Sequence, residues 1–166
     1  MESVTLATGS ADADELAAVA AQTFPLACPP STPAEDIASF IDAHLSAGRF
    51  ADYLADPRRA IITAAHDGRI IGYAMLIRDA AGNTAELSKI YVLPDHHGTG
   101  ASTALMDRAL ATAESWGVRC VWLGVNQANQ RAQRFYAKSG FNVNGTRTFQ
   151  VGTRLENDYL MVRELG

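Results

Sequence analysis

Apolar and polar positions along this chain follow two rhythms, and the change from one to the other divides it. After a short strand candidate over residues 4–8, the spacing is helical as far as residue 56. Asp12 or Asp14 caps a helix predicted to run to Phe24, where Pro25 stops it. Residues 25–33 hold four of the six prolines and read as a loop. Ser31 or Thr32, with Pro33 as an early helical residue and Glu35 and Asp36 in the first turn, opens a second helix. Its apolar positions are Ile37, Phe40, Ile41 and Leu45, and Gly48 is expected to end it. A short helix through Tyr53 and Leu54 stops before Pro57.

Beyond residue 60 the rhythm becomes that of strands. Apolar runs over 60–65 and 70–77 flank His66-Asp67-Gly68-Arg69, a hairpin signature with Asp-Gly at the turn. After a turn at Gly82-Asn83, a third strand covers 85–93 and ends at Pro94. Met106, Ala109, Leu110 and Ala113 mark an amphipathic helix over 98–116, closed by Gly117. A buried strand over 118–125 and a helix over 129–138, closed by Gly140, come next. Residues 141–151 and 154–162 form a last hairpin around Gly152. The predicted class is α/β (α+β): a mixed, mostly antiparallel sheet flanked by helices, with a central βαβ unit, in one domain over 1–166.

Composition narrows the function. A hydrophobic fraction of 48% in 166 residues supports a core without disulfides or metals. Cys28 and Cys120 form no CxxC pair, and nothing near Cys28 marks it as a nucleophile. No leader pattern and no membrane-length apolar run are found, so a cytoplasmic protein without membrane contact is expected. Residues 1–60 carry nine acids against three bases, and the remainder nine against eleven. That asymmetry is either an acidic front half that attracts cations or a set of ordinary solvated helix faces. No basic patch points to nucleic acid.

The chemistry concentrates between the third strand and the helix after it. There His97-Gly98-Thr99-Gly100-Ala101-Ser102-Thr103 brings two glycines to a helix N-terminus. Free amides of that first turn, with the helix dipole, make an anion site. Ser102 and Thr103 add hydroxyls, and His97 adds a hydrogen bond or, if protonated, charge. A Walker loop is excluded because no Gly-Lys-Ser/Thr comes after the glycines. The preceding hairpins disfavour a dinucleotide fold.

Two motifs carry a family resemblance. Ile90-Tyr91-Val92-Leu93-Pro94 followed by His97-x-x-Gly100-x-Ser102, and later Asn129-x-x-Ala132-x-x-Phe135-Tyr136-x-x-x-Gly140-Phe141, resemble the GCN5-related N-acetyltransferase (GNAT) superfamily. The first motif departs from the family's Gln/Arg-x-x-Gly-x-Gly/Ala at His97 and Ser102. The resemblance implies the GNAT fold and acetyl-CoA as co-substrate, with no metal. It places the pantetheine arm beside Ile90, Tyr91 and Val92, and the pyrophosphate on the amides of residues 97–103. Asn129, with Ala132 beside it, would bond the arm.

An alkylammonium cannot attack a thioester, so an N-acetyltransferase must remove a proton and stabilise the departing thiolate. Glu86, eleven residues before His97, matches the offset of the catalytic glutamate in the histone acetyltransferase branch, and is the candidate base or amine-orienting carboxylate. A solvent-facing strand-edge glutamate is the plain alternative. Tyr136 matches the family tyrosine that hydrogen-bonds the coenzyme sulfur and serves as general acid; the alternative is a core tyrosine. His96 and His97, being adjacent, do not converge on one ion without further ligands.

Glu86-Leu87-x-Lys89-Ile90, Trp122-Leu123-Gly124-Val125, Phe149-x-Val151-Gly152 and Asp158-x-x-Met161 further resemble the PaiA-type spermidine/spermine acetyltransferases. The resemblance implies a polyamine acceptor, which an acidic front half would suit. A protein N-terminal or lysine acetyltransferase and a non-catalytic acyl-CoA-binding module remain the alternatives. A homodimer is a family expectation, which the apolar-aromatic strand over 141–151 could serve.

Overall fold

The computed structural model describes residues 5–8, 11–151 and 154–165. Seven strands, β1 (Thr5–Thr8), β2 (Arg59–His66), β3 (Arg69–Arg78), β4 (Thr84–Val92), β5 (Cys120–Asn126), β6 (Asn142–Val151) and β7 (Arg154–Glu164), form one sheet in the order β1-β2-β3-β4-β5-β7-β6. Helices α1 (Ala13–Ala27), α2 (Ala34–His44) and α3 (Ala47–Ala55) precede β2, while α4 (Ala101–Ser115) joins β4 to β5 and α5 (Gln130–Lys138) joins β5 to β6. Among the described residues only β4 and β5 run parallel, across the α4 crossover, as the pattern predicts. The turn read around Gly152 lies outside the described residues, as do the side chains of Phe149 and Val151.

Local chemistry accounts for most boundaries. Asp12 caps α1 by accepting the amides of Asp14 and Glu15 at 2.8 and 3.1 Å. The β2–β3 hairpin turns on Asp67 and Gly68 at φ 52° and 76°, the left-handed pair a type I′ turn requires. Three expected boundaries shift. Pro25 lies inside the last turn of α1, where its missing N–H forfeits only one bond before the helix ends anyway. Pro33 is the N-cap of α2 rather than a residue within it, and neither Ser31 nor Thr32 caps. Gly48 falls in the first turn of α3, because Ser46 accepts the Arg49 amide and restarts the helix.

The sheet has a core on each face. Leu105, Met106, Ala109 and Ala113 of α4 pack on Ile62, Ala74, Leu76 and Leu87. Leu16, Val19 and Phe24 of α1 and Phe50 of α3 pack on Ile61, Tyr73 and Met75. Gly72 pairs with Val92, and a Cβ there would meet the Tyr91 carbonyl oxygen at 2.7 Å. Backbone cannot yield as a side-chain tip can, so β3 approaches β4 closely only because residue 72 is glycine.

Two irregularities in β4 shape the cleft beside it. Met75 pairs with Lys89 and Leu76 with Leu87, so Ser88 is an extra residue, a bulge in β4. Strand alternation alone would send Glu86 and Lys89 to opposite faces. The bulge restores Lys89 and Tyr91, opposite Met75 and Tyr73, to the face of α1–α3 that Glu86 shares opposite Ile77. Second, β4 and β5 pair only at Thr84–Cys120, Ala85–Val121 and Glu86–Trp122. Beyond Glu86 they part.

Candidate active site

The parting of β4 and β5 opens a cleft of about 480 Å³ that runs between the two faces of the sheet. Its walls include Glu86, Lys89, Ile90, Tyr91 and Val92 of β4, the loop residues His97, Gly98 and Gly100, and Asn129, Ala132 and Tyr136 from around α5. The two sequence motifs, some thirty residues apart, therefore meet across one opening. A larger concavity of about 910 Å³ between α4 and the β6–β7 hairpin holds neither Glu86, Tyr136 nor the loop glycines. Chemistry rather than size identifies the site.

At the loop end, Gly98 and Gly100 take φ 82° and 88°, and Gly100 is the N-cap of α4 without any side-chain cap bond. The first-turn amides thus lack the side-chain acceptor that Asp12 gives α1, and a phosphate would satisfy them. Ser102 and Thr103 line the cleft. Thr99 and Ala101 do not: the Thr99 hydroxyl donates to the His96 carbonyl at 2.7 Å, and Ala101 is buried in the core. At most their backbone faces a ligand. Asn129 Oδ1 accepts the Ala132 amide at 3.2 Å and caps α5, which leaves its NH₂ group as the donor for a bound arm.

His97 is already engaged. Its Nε2 lies 2.8 Å from the Val92 carbonyl oxygen and its Nδ1 3.0 Å from Arg131. The carbonyl only accepts and the guanidinium only donates, so both bonds form together solely in the neutral Nε2–H tautomer. The loop histidine contributes no charge in this arrangement, while Arg131, which neither motif pattern singles out, brings one to the cleft. The ring of His96 lies 5.6 Å from that of His66, away from these bonds.

At the opposite end the wall is mixed. Phe24, Leu26 and Phe40 of α1 and α2 face Glu86, Glu156 and Asp158. Among the described residues, none of the front-half acids lines the cleft, which corrects the expectation that the acidic front half faces the acceptor. Asp12 caps a helix, Glu15 accepts the Ile70 amide at 3.0 Å, and Asp56 binds Arg59. The carboxylates come instead from β4 and β7.

Asp158 is 4% exposed and meets Arg147, its cross-strand partner, at 3.3 Å. Desolvation nonetheless raises its pKa, against the lowering effect of Arg147. The Arg147 guanidinium lies 5.7 Å over the Trp122 ring and covers Gly124, where a Cβ would collide with it. Trp122, Gly124 and Asp158 are thus parts of one packed group beneath the acceptor end.

Burial keeps the phenols and the thiol protonated. Desolvation pushes Tyr136 up to about 12 and raises Tyr91 further. Cys28 is pushed up to about 11 by burial and by Glu156, so the thiol in this cleft is no ready nucleophile. The Lys89 ammonium donates to Ser88 Oγ at 3.3 Å, and desolvation lowers its pKa to about 8, against the favourable Glu86 carboxylate. From there to the unfolded value near 10.5 the unfolded chain holds more protons, so folding stability rises with pH through that window. Lys89→Met is expected to stabilise the protein at neutral pH by up to about 3 kcal/mol. The gain should shrink as pH climbs from 8 and vanish above 10.5; denaturant midpoints of both proteins across that range would show it. A gain independent of pH would assign it to packing instead.

Comparison with known proteins agrees with this geometry. The acetyltransferase (GNAT) family model matches residues 21–141. An uncharacterized N-acetyltransferase of Mycobacterium tuberculosis strain H37Rv is 70% identical over 154 residues, covering 93% of this chain and 98% of that protein. The crystal structure of the PaiA N-acetyltransferase from Thermoplasma acidophilum, in complex with coenzyme A, superposes with a TM-score of 0.84 at 21% identity, over 98% of this chain and 99% of that one. The ribosomal-protein-S18-alanine N-acetyltransferase of Escherichia coli gives 0.73 at 21% identity, over 99% and 95%. Among the described residues, no helix is long and apolar enough to cross a membrane. With its family match and its cleft in agreement, the chain belongs to the GNAT family and is an acetyl-CoA-dependent N-acetyltransferase.

Proposed function

We propose that this acetyltransferase modifies a small primary amine by direct attack, with Glu86 receiving the amine and Tyr136 serving the sulfur, and that the amine is a polyamine such as spermidine or spermine. The observation that carries the reading is that Glu86 and Tyr136 line one cleft which also takes in the uncapped N-terminus of α4. The residues present fit the co-substrate: loop amides with Ser102 and Thr103 for the pyrophosphate, the margin of β4 at Ile90–Val92 that β5 leaves unpaired (its Val92 carbonyl taken by His97) for the pantetheine arm, Asn129 beside it. Acetyl-CoA supplies the activated acetyl group as a thioester.

The chain's own residues handle the protons. Glu86 accepts one from the entering ammonium, directly or through water, so that nitrogen has a lone pair to attack with. Tyr136, protonated up to about 12, holds a hydrogen bond for the sulfur as negative charge gathers there. A thiol ionises near ~8.5, so full transfer from so weak a phenolic acid is uphill. Tyr136 accordingly stabilises the thiolate chiefly as a donor. Cys28, protonated, offers no acetyl-enzyme route.

The polyamine reading draws on the acceptor wall. Glu86 and Glu156 supply negative charge opposite Phe24, Leu26 and Phe40, Asp158 being spent on Arg147, and that pairing suits a chain alternating ammonium groups with methylene runs. Thiol release from acetyl-CoA, followed with spermidine, spermine, putrescine and N-terminal peptides, tests it. Spermidine and spermine are expected to exceed the peptides by at least about tenfold in kcat/KM, the return on one extra charged contact. Release with peptides alone would retain the chemistry and reject the polyamine. Binding of acetyl-CoA with no release to any acceptor would favour an acyl-CoA-binding module.

A further inference from the structure

We infer that Arg131 is a ligand of the acetyl-CoA pyrophosphate and that His97 positions it, an assignment resting on the 97–103 loop as the pyrophosphate site. The loop over residues 97–103 holds no lysine or arginine, so it brings no permanent side-chain cation of its own to the phosphates. His97 cannot replace the cation itself. Its Nε2–H is spent on the Val92 carbonyl at 2.8 Å, and its Nδ1 lone pair receives Arg131 at 3.0 Å. The ring is therefore a relay that ties α5 to the end of β4 and fixes a guanidinium at the mouth of the loop.

Geometry on the α5 side points the same way. Asn129 caps the helix by accepting from Ala132, so the first turn of α5 is held rigidly against the cleft. Arg131 lies in that turn, lines the cleft with Gly98, Gly100 and Ser102, and is exposed. One of its terminal nitrogens serves His97; the other N–H donors of its planar fork are directed by that bond and suit two phosphate oxygens. The cation missing from the loop is supplied from the second motif, across the cleft.

The test compares three acetyl donors: acetyl-CoA, its 3′-dephospho form, and S-acetylpantetheine, which has no phosphate. Arg131→Ala is expected to raise KM for both phosphorylated donors by about tenfold to a hundredfold, the range for a charge-assisted hydrogen bond. KM for S-acetylpantetheine stays unchanged. His97→Ala reproduces part of the loss, whereas His97→Gln, which can donate to one partner and accept from the other, loses less than His97→Ala. In the Arg131→Ala background, His97→Arg returns affinity to the phosphorylated donors by restoring a cation to the loop. An equal rise for all three donors would make Arg131 merely structural and overturn the assignment. A rise confined to acetyl-CoA itself would move the contact to the 3′-phosphate and overturn it too. A wild-type enzyme that does not distinguish acetyl-CoA from S-acetylpantetheine would instead reject the loop as the pyrophosphate site, a separate failure.

Discussion

Tyr136→Phe is expected to lower kcat by about a hundredfold to a thousandfold while leaving the KM for acetyl-CoA near the wild-type value. The phenol ring packs against Phe141 with centroids 6.1 Å apart and against Phe135 at 5.7 Å, so phenylalanine keeps the packing and deletes only the hydroxyl. That hydroxyl matters little to an uncharged thioester. It matters greatly once charge gathers on the leaving sulfur, so its loss falls on the transition state. Leaving-group acidity provides the check. With an acetyl thioester of a more acidic thiol the sulfur needs less help, and the deficit of the variant should contract. A deficit that is constant across leaving groups, or that lies in KM, would reduce Tyr136 to a wall of the cleft. Because the phenol stays protonated up to about 12, no alkaline decline in wild-type kcat near neutrality should trace to it.

Glu86→Gln is expected to cut kcat/KM for the amine by about a hundredfold or more, within the range of general base catalysis. The amide conserves shape and can still accept a hydrogen bond, yet it takes no proton. Solvent can compensate. The free-amine fraction grows tenfold with each pH unit until the amine's own pKa, near ~10 for an alkylamine. The deficit should therefore narrow steadily as pH rises, which steady-state rates across alkaline pH would reveal. If it stays constant and resides in the acceptor KM, Glu86 binds the ammonium without deprotonating it. Glu86 lies at the last paired position of β4 against β5, opposite Trp122, so its backbone is fixed on both sides.

Much of this site could be read from the chain, and what could not has a physical reason. The Asp67-Gly68 turn, the glycines before α4 and the Asn129 cap are local devices, each legible from a few adjacent residues. Pro25 and Gly48 misled because a breaker at a helix end costs little and a fresh cap at Ser46 can restart the helix two residues earlier. The bulge at Ser88 has no signature in the apolar pattern, yet it decides that Lys89 shares a face with Glu86. Glu156, Asp158 and Arg147 are separated in sequence from Glu86 and converge with it only through the pairing of β5 with β7 and β7 with β6. The acidic front half looked like a substrate surface because composition counts charges without saying which are spent. Arg131 could have been suspected from its place two residues after a helix-capping asparagine facing the glycine loop.

The brief contact between β4 and β5 has a mechanical side. Strands β1 to β4 and strands β5 to β7 are each stitched along their lengths, but the two panels share only three paired positions, all at one end. The sheet is a book with a short spine. Any extended molecule that hydrogen-bonds to both facing margins acts as a clasp, and its binding energy then counts toward holding the panels together. At a hundred times its dissociation constant such a clasp adds about 2.7 kcal/mol to global stability. The heat resistance of the protein should thus track the supply of its acetyl donor. Amide exchange at Ile90 and Gly124, on opposite margins, should slow together when that donor is added.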